Sequence, residues 1–551
     1  MRRARLGRLL APAGVVLVLA AVLCAGSAEA AAFTRRPTLN SVDQDSAIVV
    51  LRLDASCSVT VRYGAGTDLG QSASGTASGA NHAVTLSGLT AGTRYSYQVE
   101  ACGSKLGDVD TFRTAPSAST MQVHFAAVGD MGTGGSMQTN VSNRMHQAAP
   151  ELWLGLGDLA YADGTDAEFT SNFFKPMGEA MEDIPFFPSP GNHEYYTGQA
   201  QPYLDAFVLP TNNPASSERY YSFDWGPVHF VSLDGECVAD YEASDCDDVP
   251  QLAWLKADLA ATTKPWKVVF FHRPSWSSGE HGSNLKMRER LSPILEQYDV
   301  DLALTGHDHH YERTHPITGD AVDAQNGITY LVVGGGGANL RTFGVAQPSW
   351  SVYRNATDYG FLDVVVDGGT LTGKFVRHDG QVLDTFTLSK QVTTPKEFTL
   401  TVAAEPAQGT VPFQTLLGAQ TNLSNPDYLW TLPDGSNASG AQVPLELTEP
   451  GSYAISVTAT GEGTSISKSI TVAANAPDCE ATNSCFVPDA GNEPEPTPDA
   501  GGPGPGPGPD DGWNGGEGGA GTCGGGGAAM LFPFAVAGLV IRRRRAAQSR
   551  V

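Results

Sequence analysis

Positive charge is scarce in this chain. Lysine and arginine together number 34 against 59 aspartates and glutamates, a formal net charge of -25 at pH 7. That balance argues against nucleic acid, or an anionic membrane surface, as a general partner. With no basic funnel, a polyanionic substrate would have to be held by metal ions or by a local cluster of side chains. No lysine or arginine occurs between Lys468 and Arg542. The C-terminal apolar run, Ala528 to Ile541, is short of the roughly 20 residues that a spanning helix takes. Histidine is confined: of the 12, all but His82 lie between His124 and His378.

The 551 residues exceed what one core holds, so two to four domains are expected. Met1-Arg-Arg-Ala-Arg5, an apolar run to Ala25 and then Ala28-Glu29-Ala30 read as the three parts of a secretory leader, residues 1–30. Export is therefore expected. Cys24 leaves with the leader, and six of the other seven cysteines fall into local pairs: Cys57 with Cys102, Cys237 with Cys246, Cys479 with Cys485. An oxidising compartment favours disulfides, although spacing does not prove connectivity.

Residues 33–117 carry short β-rich runs such as Ala47 to Leu53 and Ser58 to Tyr63, separated by Gly, Ser and Asp turns, which suits a β-sandwich. Residues 121–390 alternate apolar runs with amphipathic segments, the pattern of a layered α/β domain of sheets flanked by helices. Met137, Val141 and Met145 are expected to share one helix face, and Leu252, Leu255 and Leu259 another. Residues 397–474 turn β-rich again. From 475 to 520 the Pro/Gly-rich, acidic composition forms no core and reads as a disordered stalk. The final stretch, 521–551, joins Gly521-Thr-Cys-Gly-Gly525 to the apolar run and to Arg542-Arg-Arg-Arg545, which points to surface or transmembrane attachment.

Within the central domain, each of several expected strand ends carries a ligand-like residue. They are Asp130 in Gly129-Asp-Met-Gly132; Asp158 and Tyr161 in Gly157-Asp-Leu-Ala-Tyr161; Asn192 and His193 in Gly191-Asn-His-Glu194; His272 after Val269-Phe-Phe; and His307 and His309 in Gly306-His-Asp-His-His310. Singly, each is what a structural turn or cap looks like. Their joint placement past strand ends is where open α/β sheets carry ligands, and imidazole and carboxylate are metal-binding groups.

These five blocks resemble the metallophosphoesterases, and the tyrosine of the second block resembles a purple acid phosphatase. That resemblance implies that Asp130, Asp158, Tyr161 and His309 bind ferric iron, and that Asp158, Asn192, His272 and His307 bind a divalent zinc, manganese or iron ion, Asp158 bridging the two. A carboxylate can span two cations, and such a pair clamps the attacking and leaving oxygens at phosphorus. Oxygen donors such as Asp130 and a tyrosinate suit the trivalent ion, nitrogen donors the divalent one. His193 and His281 match pocket histidines of the family that touch phosphate or the leaving group. Gly282 stands where the family has a second such histidine, which leaves the leaving-group acid and the substrate preference open. His310, Tyr311, Arg313 and His315 read as loop packing, His124 as structural.

The implied function is hydrolysis of phosphomonoesters by an exported acid phosphatase. A phosphodiesterase or nucleotidase on the same fold, and a surface adhesin with an inert core, are the alternatives. Tyr195-Tyr196 and the Cys237 to Cys246 loop are the pocket walls expected to separate monoesters from diesters. The first β domain resembles a fibronectin type III module, 397–474 resembles a PKD-like immunoglobulin sandwich, and 521–551 resembles a myxobacterial sorting tag. No feature of the sequence speaks to an oligomeric state.

Overall fold

The computed structural model describes residues 31–477, apart from 79, 242–243, 245, 394–397 and 462–463. The leader, the Cys479 and Cys485 pair, the stalk beyond 477 and the sorting tag lie outside the described residues. The transmembrane expectation is corrected: no helix among the described residues is long and apolar enough to cross a membrane. The run 528–541 that prompted it is outside them and too short for an unaided span.

The N-terminal domain is two four-stranded sheets. One runs in the order Phe33–Asn40, Ser46–Leu53, Asn81–Ser87, Thr76–Ser78; the other Gln71–Ser74, Val59–Ala65, Arg94–Ala101, Ser104–Arg113. Alternation explains it: in Ser46–Leu53 every second residue, Ala47, Val49, Leu51 and Leu53, is buried between the sheets. Cys57 and Cys102 are bonded. This sandwich docks on the helical layer of the next domain. Arg35 and Arg52 both reach Asp166, at 2.6 Å each, and the Tyr97 hydroxyl donates to the Glu182 carbonyl at 2.8 Å.

Two sheets stack face to face in the central domain. The six-stranded sheet runs Phe186–Ser189, Leu152–Leu156, Gln122–Val128, Gly360–Asp367, Thr370–Arg377, Val382–Ser389, its first three strands parallel. The seven-stranded sheet runs Tyr221–Trp225, Val228–Ser232, Trp266–Phe270, Leu302–Thr305, Thr329–Val333, Tyr311–Thr314, Ser351–Asn355, with the second to fifth parallel. Continuous apolar runs such as Leu152–Leu156, buried throughout, fit strands covered on both faces. Aromatic pairs lock sheet to sheet: Phe125 against Phe230 at 5.1 Å, Phe187 on Phe223 at 3.8 Å, Tyr311 on Phe375 at 4.2 Å. Tyr311 and Arg313 thus belong to a strand rather than a loop, and Arg313 forks onto Asp384 at 2.7 and 2.9 Å. The parallel strands of both sheets end on one side, and that side carries the site.

Helix Ser136–Ala148 buries Gln138, Val141, Ser142 and Met145, while Met137 is exposed. The expected face is rotated because Gln138 turns inward, its Oε1 accepting from the Thr133 and Gly134 amides at 3.1 and 2.9 Å. Helix Asp248–Ala261 buries Leu255 and Leu259 as expected, with Leu252 packed alongside. A third core, around the buried Trp430, belongs to the sandwich from Leu400 to Asn475.

One buried ion pair ties strand to helix. His229 Nδ1 and Nε2 each lie 2.8 Å from a carboxylate, of Asp224 and Asp258. Burial opposes charge on the ring, but the two carboxylates prevail and push it up to about 9. Since the folded value is raised above about 6.5, the imidazolium stabilises the fold fully below that pH. The contribution disappears as pH rises through about 9, a loss on the order of 3 kcal/mol. Urea unfolding across pH 6 to 10 should show this slope in the wild type and a flatter profile in His229→Gln; parallel profiles would refute it.

Candidate metal centre

Five loops leave the ends of Gln122–Val128, Leu152–Leu156, Phe186–Ser189, Trp266–Phe270 and Leu302–Thr305 and converge. Asp130, Asp158 and His307 are in left-handed backbone, with φ of 58°, 52° and 70°. Such conformations are costly for residues with a Cβ and persist where surrounding structure imposes them. The adjacent glycines serve close approach. A Cβ on Gly306 would stand 2.5 Å from Asp130 Oδ2, and one on Gly191 2.4 Å from Asp158 Oδ1.

The Tyr161 hydroxyl lies 3.0 Å from both Asp130 Oδ1 and Asp158 Oδ2 and 3.2 Å from His309 Nε2. His309 Nδ1 faces the Asn339 carbonyl at 2.9 Å, which turns Nε2 inward. His272 is oriented the same way: Nδ1 faces the Leu156 carbonyl at 2.8 Å, and Nε2 is 3.2 Å from Asp158 Oδ2. His307 Nδ1 is 3.3 Å from His272 Nε2. Ligand atoms of Asp158, His272 and His307 all lie within 4.8 Å of one another. The Asn192 side-chain oxygen is buried with no hydrogen-bond partner among the described residues, a lone pair in want of a donor or a cation.

Asp130, Asp158 and His272 are essentially without solvent exposure. Burial raises the Tyr161 phenol far above its ordinary range, helped by the Asp130 and Asp158 carboxylates. Burial opposes protonation of His272, yet Asp158 pushes it up to about 10. His307 goes the other way, well below the ordinary value, through burial and the positive neighbours His272 and Arg273. Protons alone therefore leave the cluster with conflicting demands: acceptors crowd together and one ring's charge forbids its neighbour's. Cations resolve the conflict, since every inward atom can then act as a lone-pair donor. The donor set fits two of them, with Tyr161, Asp130 and His309 on one side of Asp158 and Asn192, His272 and His307 on the other.

His193 lies at the edge, Nε2 3.7 Å from Asp158 Oδ2 and its amide donating to Asp158 Oδ1 at 3.0 Å. His281 stacks on His307 with ring centres 4.4 Å apart. A cavity of about 740 Å³ opens beside Tyr161, His193 and His309 and is walled by Met137, Arg341 and Tyr359. The two tyrosines read as a wall divide. Tyr195 is buried and donates to Asp234, whereas Tyr196 is half exposed, its ring edge-on to His193 at 5.1 Å. Cys237 and Cys246 are bonded.

Sequence reasoning missed Glu194. Fully buried, its carboxylate accepts from four backbone amides: Asp158 and Gly191 at 3.0 and 2.7 Å on Oε2, Leu159 and Ala160 at 2.8 and 3.2 Å on Oε1. It joins the Asp158 loop to the Asn192 loop. The available signal was its place three residues after Gly191, the reach-back position of a capping box.

Residues 123–311 match the calcineurin-like phosphoesterase family and 327–385 an iron/zinc purple acid phosphatase-like C-terminal family. Residues 31–119 match a domain of unknown function and 399–474 the PKD domain. An uncharacterized protein of Mycobacterium tuberculosis is 28% identical over 404 residues, 56% of this chain and 75% of that protein. Two Arabidopsis thaliana proteins are 31% identical: probable inactive purple acid phosphatase 1, over 43% of this chain and 42% of its own length, and purple acid phosphatase 15, over 47% and 54%. The chain thus spans about half the length of these plant relatives. Among solved structures, purple acid phosphatase PPD1 of yellow lupin shares the fold with a TM-score of 0.57 at 22% identity, covering 64% of this chain and 74% of that one. The central domain is therefore a calcineurin-like phosphoesterase domain of purple acid phosphatase-like type, and a PKD domain follows it.

Proposed function

We propose that the chain is an exported dimetal acid phosphatase acting on phosphomonoesters. The observation that carries this reading is the convergence of seven donor side chains from five loops, one of them Asn192, whose buried oxygen has no hydrogen-bond partner among the described residues. Asp130, Asp158, Tyr161 and His309 would hold a ferric ion, and Asp158, Asn192, His272 and His307 a divalent zinc, manganese or iron ion. When bound, the pair supplies Lewis acidity, an ionised water at low pH and a clamp on the phosphoryl oxygens.

The chain's own groups do the rest. His193 turns Nδ1 to the Ala162 carbonyl, which keeps Nε2 on the site side beside the Tyr161 ring, 4.3 Å between centres. There it can hold a proton for the departing oxygen. The cavity beyond it is the space for the alcohol portion of the ester. The leader supports export, and the Gly-Cys, apolar, Arg-rich end supports display at the cell surface or release from it.

The test is hydrolysis of an aryl phosphomonoester and its matching diester by the metal-loaded chain. The monoester should be cleaved at least about tenfold faster in kcat/KM, a difference of roughly 1.4 kcal/mol at the transition state. A diester preference would transfer the reading to a phosphodiesterase, and cleavage of neither would remove it.

A further inference from the structure

Two further loops are clamped to each other over the metal-ligating ones. Loop 277–283 is tied down by Asp308, which accepts from Ser277 Oγ at 2.5 Å and the His281 amide at 2.9 Å, and by Glu312, which accepts from the Ser278 amide at 2.7 Å. Loop 339–345 joins it through a β-bridge between Gly279 and Phe343 and a bond from the Gly344 amide to the Ser278 carbonyl at 3.1 Å. Phe343 sits between the His310 ring at 4.8 Å and the Arg354 guanidinium at 4.3 Å. Both loops are thereby held rigid, as a preorganised site requires.

Loop 339–345 lines the cavity with Asn339, Leu340 and Arg341, and loop 277–283 brings His281 against a ligand histidine. His281 lies on the His307 ring, and Arg341, whose amide donates to the His309 carbonyl at 3.0 Å, lines the cavity wall. Arg341 Nη1 donates to His281 Nε2. With Nε2 accepting through its lone pair, the ring's proton sits on Nδ1, and Nε2 has none to give a leaving group. The guanidinium makes no ion pair among the described residues. At Gly282 there is only open space, since a Cβ would meet nothing within 4 Å.

We propose that Arg341 is the substrate-binding cation of this site. Its guanidinium, aimed by His281 as a positioning residue, pairs with the phosphoryl oxygens of the ester. A planar guanidinium suits this task because two of its N–H groups match two phosphate oxygens. The inference rests on the phosphoesterase reading of the centre.

The experiment is calorimetric titration of inorganic phosphate into the full-length, metal-loaded protein, with metal content and circular dichroism checked for each variant. Arg341→Ala should weaken phosphate binding roughly 10- to 100-fold, the loss that a charge-assisted hydrogen bond carries. Arg341→Lys should recover part of it. His281→Ala should weaken binding in the wild type and add nothing in the Arg341→Ala background, because the two act as a unit. Phosphate bound equally by wild type and Arg341→Ala, or not bound by the wild type, overturns the inference. Phosphate binding that depends on Arg341 in a protein that cleaves no ester leaves the inference standing and removes the phosphatase reading instead.

Discussion

Asp158→Ala should lower kcat for an aryl phosphomonoester by on the order of 10⁴-fold, the scale seen when one member of a catalytic unit is lost. Its Oδ2 is 3.0 Å from the Tyr161 hydroxyl and 3.2 Å from His272 Nε2, so one carboxylate touches both halves of the donor set. No neighbour can replace it, because Asp130 is committed to the Tyr161 side and to the His307 amide at 2.8 Å. Metal content by elemental analysis should fall in parallel, while Asp158→Asn, which keeps the shape and loses the charge, should retain more metal than activity. An alanine variant with two metals and wild-type turnover would sink the assignment of Asp158 as the bridge.

Glu194→Ala should cost about 4 kcal/mol or more of folding stability, since four buried amides lose their acceptor at roughly 1–3 kcal/mol each before relaxation. That is a large share of the 5–15 kcal/mol of a typical domain. Burial and the Asp158 charge push the Glu194 carboxyl up to about 8, against the pull of those amides. Glu194→Gln should not rescue it: whichever end carries the NH₂ then faces two amide donors rather than accepting from them. Denaturant midpoints provide the measurement. The apparent metal affinity of any folded fraction should also fall by roughly 10- to 100-fold, as for groups that orient ligands. An unchanged midpoint with unchanged affinity would show that the carboxylate is dispensable.

The donor set was legible because each donor sits immediately past an apolar run, and a strand end fixes position whatever the rest of the fold does. Tyr161 was legible for the same reason, three residues after Asp158 in one loop. Glu194 was hidden because its importance lies in whose amides it meets, and three of the four come from a loop 34 to 36 residues away. Arg341 was hidden for a related reason. It lies in a glycine-rich stretch with no periodicity, and it is brought to the site by its amide bond to the His309 carbonyl and by the bridge between Gly279 and Phe343, contacts between segments far apart in the chain. Helix Ser136–Ala148 shows the limit of pattern reading: apolar spacing favoured Met137, whereas one inward hydrogen-bonding glutamine set the rotation. The sheet order was equally beyond reach, since Tyr311–Thr314 inserts between Thr329–Val333 and Ser351–Asn355.

The left-handed backbone at Asp130, Asp158 and His307 has a bearing on how this protein would respond to laboratory evolution. Glycine is the residue that relaxes such a backbone, and at compatible sites relief of this kind is worth on the order of 1 kcal/mol. A screen that rewards heat tolerance alone would therefore be drawn to these three positions and would erase the centre while improving the score. Libraries aimed at thermal robustness need those codons frozen, or a turnover requirement imposed in every round.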